Sequence, residues 1–213
     1  MMTDSDAYIK YPKLRHFYNK LWLSEKLGYR CGPSGIDPQE SDSYIVRPIM
    51  NLSGMGVSSS KKWIEAGDVS QVPPGYFWCE FFEGRHLSVT YEKTGSEYVI
   101  LHCYEGFKDS KGTFLEWQRV SDEPKLPKWM QNQFLSCDVE VGNAEFIGDK
   151  LIEVHLRGTP DPLVDSMFPV WQDDKITVDK LSRLGYSYLN SYDNADGFLQ
   201  TPRLGFMIKN RGD

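Results

Sequence analysis

The chain has 213 residues, 40% of them apolar and 25% charged, with a formal net charge of −6. That length buries a real core, as one large domain or as two small lobes sharing a cleft, and the composition excludes disorder over most of the chain. The acidic balance argues against a nucleic-acid binder, which carries a basic face or a basic pI, and no run approaches the roughly 20 apolar residues of a membrane helix.

Met1 to Ala7 is polar enough to fray, and it lacks the basic stretch and apolar core of a signal peptide. The cysteines, Cys31, Cys79, Cys103 and Cys137, form no C-x-x-C pair, and Cys79 and Cys137 sit in apolar strand-like runs. Free thiols in a reducing cytoplasm are expected. Residues 12 to 27 predict a helix, because Leu14, Phe17, Leu21, Leu23 and Leu27 recur at helical spacing, with Pro12 in the first turn and Gly28 as the stop. Residues 29 to 43 are turn-rich and polar and read as a loop. Tyr44 to Val46 is a short strand ending at Arg47-Pro48, followed by the glycine and serine loop NLSGMGVSSS and by a short helix over Lys61 to Ala66.

After Pro73-Pro74-Gly75 the chain turns strand-like. Tyr76 to Phe82, His86 to Glu92, Tyr98 to Tyr104 and Phe114 to Val120 are rich in aromatic and β-branched residues. Pro127 to Leu135 reads as a helix, and Cys137 to Phe146 with Leu151 to Leu156 as a hairpin turning at Gly148-Asp149. A last short helix is expected over 177 to 184, before a polar, tyrosine-rich tail. The order, a helix and then many antiparallel strands, predicts an α+β protein and not a doubly wound parallel sheet.

Three stretches carry chemistry. A strand ending in Arg47 before a glycine loop suits a polyphosphate, since free backbone amides and a fixed cation would meet it; the plainer reading is a flexible surface loop. In the hairpin, alternation puts Asp138 and Glu140 on one face of the first strand and Glu153, His155 and Arg157 on one face of the second. Asp138 and Glu153 could then share a cleft as an oxygen pair for Mg²⁺; the alternative is an amphipathic hairpin with a solvated charged face. The strand-to-glycine crossover CEFFEGRH offers apolar walls and exposed backbone groups of the kind an adenine ring uses, and equally describes an ordinary hairpin. No zinc spacing, serine-hydrolase elbow or aromatic RNA platform is present in the sequence.

These pieces, in this order, resemble the ATP-grasp superfamily over residues 8 to 158. The segment YNKLWLSEKLGYRCGP resembles its opening helix, YIVRP the strand that usually ends in Lys-Pro, and NLSGMGVS its glycine-rich flap. CEFFEGRHLSV resembles its hinge, and CDVEV with IEVHLR its metal-binding strands. The resemblance implies two small α+β lobes with mostly antiparallel sheets around a nucleotide cleft. Residues 8–75 would form the lobe carrying the flap, and residues 76–213 the hinge and metal-binding lobe. It further implies that Lys20 and Arg47 touch the phosphates, that Ser53, Gly54 and Gly56 form the flap, and that Glu80, Phe81 and Phe82 line adenine. His86 would stand at a ribose-binding position, Asp138, Glu153 and His155 would hold Mg²⁺, and Arg157 would stabilise the transferring phosphoryl group. The implied function is ATP-dependent ligation of a carboxylate to an amine or thiol through an acylphosphate, in the cytoplasm, with no nucleic acid or membrane involved. Arg47 for lysine, His86 for an acid and His155 for an oxygen ligand depart from the family pattern. So does a start without the family's N-terminal α/β domain. These departures imply the alternative, a degenerate ATP-grasp protein that binds a nucleotide or a partner protein without turnover.

Overall fold

The strand-rich stretch resolves into two antiparallel sheets. A computed structural model describes residues 2–50, 59–110, 112–172, 175–193 and 202–209. The flap residues Ser53, Gly54 and Gly56 lie outside the described residues. The smaller sheet contains β1 (Cys31–Pro33), β2 (Asp42–Pro48), β3 (Ser60–Ile64) and β4 (Tyr76–Glu80), in the order β1-β4-β2-β3. The larger contains β5 (His86–Thr94), β6 (Glu97–Lys108), β7 (Phe114–Val120), β8 (Val141–Ile147), β9 (Lys150–His155), β10 (Ser166–Trp171), β11 (Tyr186–Asp193) and β12 (Arg203–Lys209), in the order β11-β12-β10-β7-β6-β5-β8-β9. The helices are α1 (Asp4–Lys10), α2 (Lys20–Lys26), α3 (Lys128–Ser136) and α4 (Lys175–Arg183), with a 3-10 helix over Pro12–Tyr18. None of them is long and apolar enough to cross a membrane.

Each sheet buries one face. Alternation along β2 sends Tyr44 and Val46 into a small core with Ile64, Val72 and Trp78, and sends Ile45 and Arg47 to the opposite side. On the large sheet, Leu87, Val89, Tyr91, Ala144, Phe146 and Val154 pack under Ala7, Leu14, Phe17, Leu23, Met130 and Phe134 from the helical segments. Fully burying a side chain such as Phe17 or Phe134 contributes about 2–3 kcal/mol. The opposite face of this sheet buries Tyr104, Trp117, Met167 and Phe206 in a second cluster and lines the cavity toward the small sheet.

Several expectations change. Thr3 to Ala7 is ordered where fraying is expected: Thr3 and Asp6 form a reciprocal capping box that starts α1, and Asp4 and Ala7 are buried. The helix expected over 12–27 breaks at Asn19, whose side chain accepts the Trp22 backbone N–H at 2.9 Å and caps a separate helix, α2. Lys61 to Ala66 is not a helix, because Asp42 to Val46 pairs with Ile64 to Ser60 as a ladder. The polar tail contributes two strands, β11 and β12. The changeover between the sheets falls at Phe81–Arg85, since β4 pairs with β1 and β2. The 3-10 helix and α2 pack on the large sheet's core, and α2 also touches β1 and β4 of the small sheet.

All four thiols are free. Burial pushes Cys31 up to about 12 and Cys79 and Cys103 up to about 11. Alkylation of the native protein at pH 8 is therefore expected to label Cys137 first and the other three only after denaturation, read by peptide mass spectrometry.

Candidate active site

A cavity of about 1270 Å³ lies between the sheets. Its small-sheet wall carries Ile45, Arg47 and Lys61, its rim Phe81 and Phe82, and its large-sheet floor Asn143, Glu145, Glu153 and His155. The sheet changeover at the rim follows directly from Glu80 being the last residue of β4, which leaves Phe81 and Phe82 outside both ladders. Phe81 sits under the Lys61 ammonium, 3.9 Å from its ring centre, and Phe82 meets Tyr29 edge-on at 4.7 Å.

The β8–β9 hairpin sets the acidic centre. Its turn at Gly148-Asp149 is where the sequence places it, but Asp138 does not share the cleft with Glu153. Asp138 precedes β8, takes the left-handed conformation (φ 55°) and pairs on the surface with Lys93. Glu145 stands opposite Glu153 instead. One step nearer the turn, Phe146 pairs with Leu151, so Ile152 is an extra residue in β9. The bulge lets Ile152 and Glu153 both line the cavity, and it leaves the Ile152 carbonyl to accept a hydrogen bond from Arg47 Nη2 at 3.2 Å.

Like charges directly opposed across a ladder repel, and here cations separate them. Lys20 Nζ lies 2.8 Å from Glu153 Oε1, with both side chains nearly buried. Lys20 reaches this point because Asn19 caps α2 and the Lys20 backbone N–H donates to Ile49 O at the end of the small sheet, at 2.8 Å. His86 Nε2 lies 3.0 Å from Glu145 Oε2. Burial would raise the Glu145 carboxyl, but His86 first, then His155 and Lys20, hold it below the usual carboxylate range. Asn143 donates to Ser88 Oγ at 3.1 Å and Thr90 Oγ1 at 3.3 Å, which fixes the floor beside it.

A second set of charges comes from the N-terminus. Buried Asp4 accepts from Arg157 Nη2 at 2.5 Å and lies 3.1 Å from His155 Nδ1, while His155 Nε2 is 3.6 Å from Glu153. Burial would raise Asp4 and lower His155. Their mutual attraction outweighs it, so the Asp4 carboxyl is lowered and the His155 imidazole raised. The sign follows from linkage: Asp4 adds stability that is lost as pH falls through its folded pKa, and His155 adds stability lost as pH rises through its own. Both are charged between about pH 4 and 6.5. Asp4→Asn is therefore expected to destabilise the protein most in that window, and less at pH 8, as read by thermal unfolding across pH.

Of the remaining residues singled out in the sequence, Lys20, Arg47, Phe81, Phe82, His86, Glu153, His155 and Arg157 line this one cavity. Glu80 and Asp138 do not: the Glu80 carboxylate accepts the Arg30 backbone N–H at 3.1 Å. Sequence reasoning missed Glu145, Asn143 and Asp4. Counting back from the two-residue turn at Gly148-Asp149 would have set Glu145 against Ile152, since only the bulge brings it opposite Glu153, and nothing local marks Asp4, 151 residues from the histidine it meets.

No family model and no curated protein matches this chain. Solved structures do. N5-carboxyaminoimidazole synthetase from Staphylococcus aureus, complexed with ADP, is 11% identical with a TM-score of 0.57, over 94% of this chain and 69% of that one. Carboxyaminoimidazole ribonucleotide synthase from Aspergillus clavatus, complexed with ATP, is 10% identical with a TM-score of 0.57, over 92% and 69%. The N5-carboxyaminoimidazole ribonucleotide synthetase from Thermus thermophilus gives 11% and 0.53, over 94% and 70%. At these identities the likeness speaks to fold alone. Two antiparallel sheets facing each other across one charged cavity, and this likeness over nearly the whole chain, identify an α+β protein of ATP-grasp-like fold.

Proposed function

We propose that this chain binds Mg-ATP between its two sheets and uses it to join a carboxylate to an amine or thiol through an acylphosphate. The observation that carries the reading is the opposed pair Glu145 and Glu153 beside the buried cations Lys20 and Arg47, in one cavity. Adenine would lie against Phe81 and Phe82 at the sheet changeover, with the polyphosphate toward Lys20 and Arg47. Among the described residues no three His, Cys, Asp or Glu side chains converge into a metal cage. Mg²⁺ needs only one or two carboxylates when phosphate oxygens and water complete its shell, so Glu145 and Glu153 fit it, while His155, held by Asp4, serves as a neighbour of Glu153. Bound there, the ion would supply charge neutralisation to the phosphates. Arg157, fixed by Asp4, and Arg47 would stabilise negative charge that grows on the transferring phosphoryl group. Free thiols fit a cytoplasmic setting.

One observation favours a second reading, nucleotide or partner binding without turnover. Both carboxylates already have protein partners, Lys20 for Glu153 and His86 for Glu145. Calorimetric titration with a non-hydrolysable ATP analogue separates the readings. Micromolar binding, about −8 kcal/mol, that strengthens with Mg²⁺ supports the ligase. The same affinity without any magnesium effect supports the non-catalytic binder, and no heat at millimolar analogue removes both nucleotide readings.

A further inference from the structure

His86 begins β5, the strand that lies between β6 and β8. Directly across from it on β6 stands Gly106, and directly across on β8 stands Ile147. Two places along from these are Lys108 and Glu145, the diagonal neighbours of His86, and both line the cavity. They take one ring nitrogen each. Lys108 Nζ lies 3.2 Å from His86 Nδ1, and His86 Nε2 lies 3.0 Å from Glu145 Oε2. Aromatic rings hold the imidazole between them: it meets Phe114 at 5.0 Å and Trp117 at 5.8 Å, both edge-on. Gly106 admits those rings, since a Cβ there would come within 2.5 Å of Phe114 and 2.8 Å of Trp117. The Lys108 ammonium lies over the Phe114 ring, 4.3 Å from its centre, with no carboxylate at ion-pair distance among the described residues.

We infer that Lys108 is a positioning residue of the acidic centre: it fixes the single ring proton of His86 on Nε2, and through that N–H it orients Glu145. The inference deepens the ligase reading, and rests on it for the magnesium that Glu145 would receive. An ammonium has donors only, so Nδ1 accepts from Lys108 and the ring proton sits on Nε2. That N–H points at a carboxylate, which only accepts, so one arrangement satisfies both contacts. The positive charge then rests on Lys108, one ring away from the carboxylate. A neutral donor holds Glu145 Oε2 without cancelling its charge. An imidazolium would form a salt bridge instead, and Mg²⁺ would have to compete with it. Glu145 Oε1 has no hydrogen-bond partner among the described residues, so one oxygen is left to a cation.

The test uses the whole chain at pH 8. Isotopically labelled histidine, with signals assigned by His86→Gln, reads the ring by nitrogen NMR in the ligand-free protein. The parent should carry the His86 proton on Nε2 alone. A proton on Nδ1, or on both nitrogens, overturns the inference, and this spectrum decides even if a variant fails to fold. Lys108 is exposed to the cavity, so Lys108→Met is expected to melt as the parent does. It should lose the pure Nε2–H form, and Lys108→Arg, which still donates, should restore it; a ring unchanged in Lys108→Met overturns the inference too. Calorimetry with the non-hydrolysable ATP analogue reads the consequence. The gain in affinity that Mg²⁺ brings should shrink at least about tenfold in Lys108→Met, with the magnesium-free affinity within about twofold of the parent. An equal loss with and without magnesium makes Lys108 a contact of the ligand itself and overturns the positioning role. The two readings fail separately. With the ring as expected and no analogue bound, Lys108 keeps its hold on His86 and the ligase reading falls. With magnesium-dependent binding and a ring that Lys108→Met leaves unaltered, the positioning role falls and the ligase reading stands.

Discussion

Glu153→Ala is expected to lower the free energy of unfolding by about 3 kcal/mol with no ligand present, the usual cost of stripping one partner from a buried ion pair. Lys20 and Glu153 meet at 2.8 Å with side-chain exposures of 8% and 12%. Removing the carboxylate takes away the one ion-pair partner that Lys20 has among the described residues, and leaves its ammonium buried. The alanine variant therefore confounds chemistry with stability, and two further variants separate them. Lys20→Met/Glu153→Leu removes both charges and fills the space, so it should recover most of the lost stability while remaining inactive. Glu153→Gln keeps the shape and should cut phosphate release by at least about a hundredfold. Urea unfolding at pH 7 checks the first claim: an alanine variant within about 0.5 kcal/mol of the parent would mean that the pair is not buried in solution.

The same pair shows where the sequence was legible and where it was not. Strand positions in the middle of the chain were readable because local pattern decides them. His86 to Glu92 and Phe114 to Val120 were expected as strands and appear as β5 and β7. The hairpin turn at Gly148-Asp149 was readable too, and Gly148 does take a positive φ of 59°. What failed was whatever depends on register or on distant partners. A bulge at Ile152 moves Glu145 across from Glu153, and a bulge leaves no mark in the pattern of apolar residues. Lys61 to Ala66 reads as a short helix, yet tertiary pairing of Ser60–Ile64 with β2 decides its state. Asp4 was read as part of a fraying end, because local polarity says nothing about a histidine and an arginine that arrive from β9 and the residues after it. The candidate site is thus half local and half assembled. Its cations Arg47 and Lys20 belong to recognisable local segments, whereas the pairing that gives each carboxylate a counter-charge exists only in the fold.

Arg47→Met should trade function for stability in the opposite sense to Glu153→Ala. Arg47 is buried at 8% exposure, and its guanidinium lies 5.2 Å from the Phe77 ring centre. The carbonyl of Ile152 is a neutral acceptor, and Arg47 Nε is buried with no hydrogen-bond partner among the described residues. A buried cation with so little compensation costs free energy in the empty protein. Methionine has a similar reach and no charge, so the variant is expected to unfold at the same temperature or higher in the absence of nucleotide. A phosphate would supply what the guanidinium lacks, through strong charge-assisted hydrogen bonds. Loss of that contact should weaken the ATP analogue by about a hundredfold, or roughly 2.7 kcal/mol. Thermal melts with and without analogue measure both effects in one experiment. A variant that melts lower when empty and binds the analogue as well as the parent would make Arg47 a structural cation, and would shift the phosphate site toward Lys20 and Lys61. A variant that melts no lower but no longer gains stability from the analogue would show that the cation is kept in the fold at a cost, for the sake of the ligand it receives.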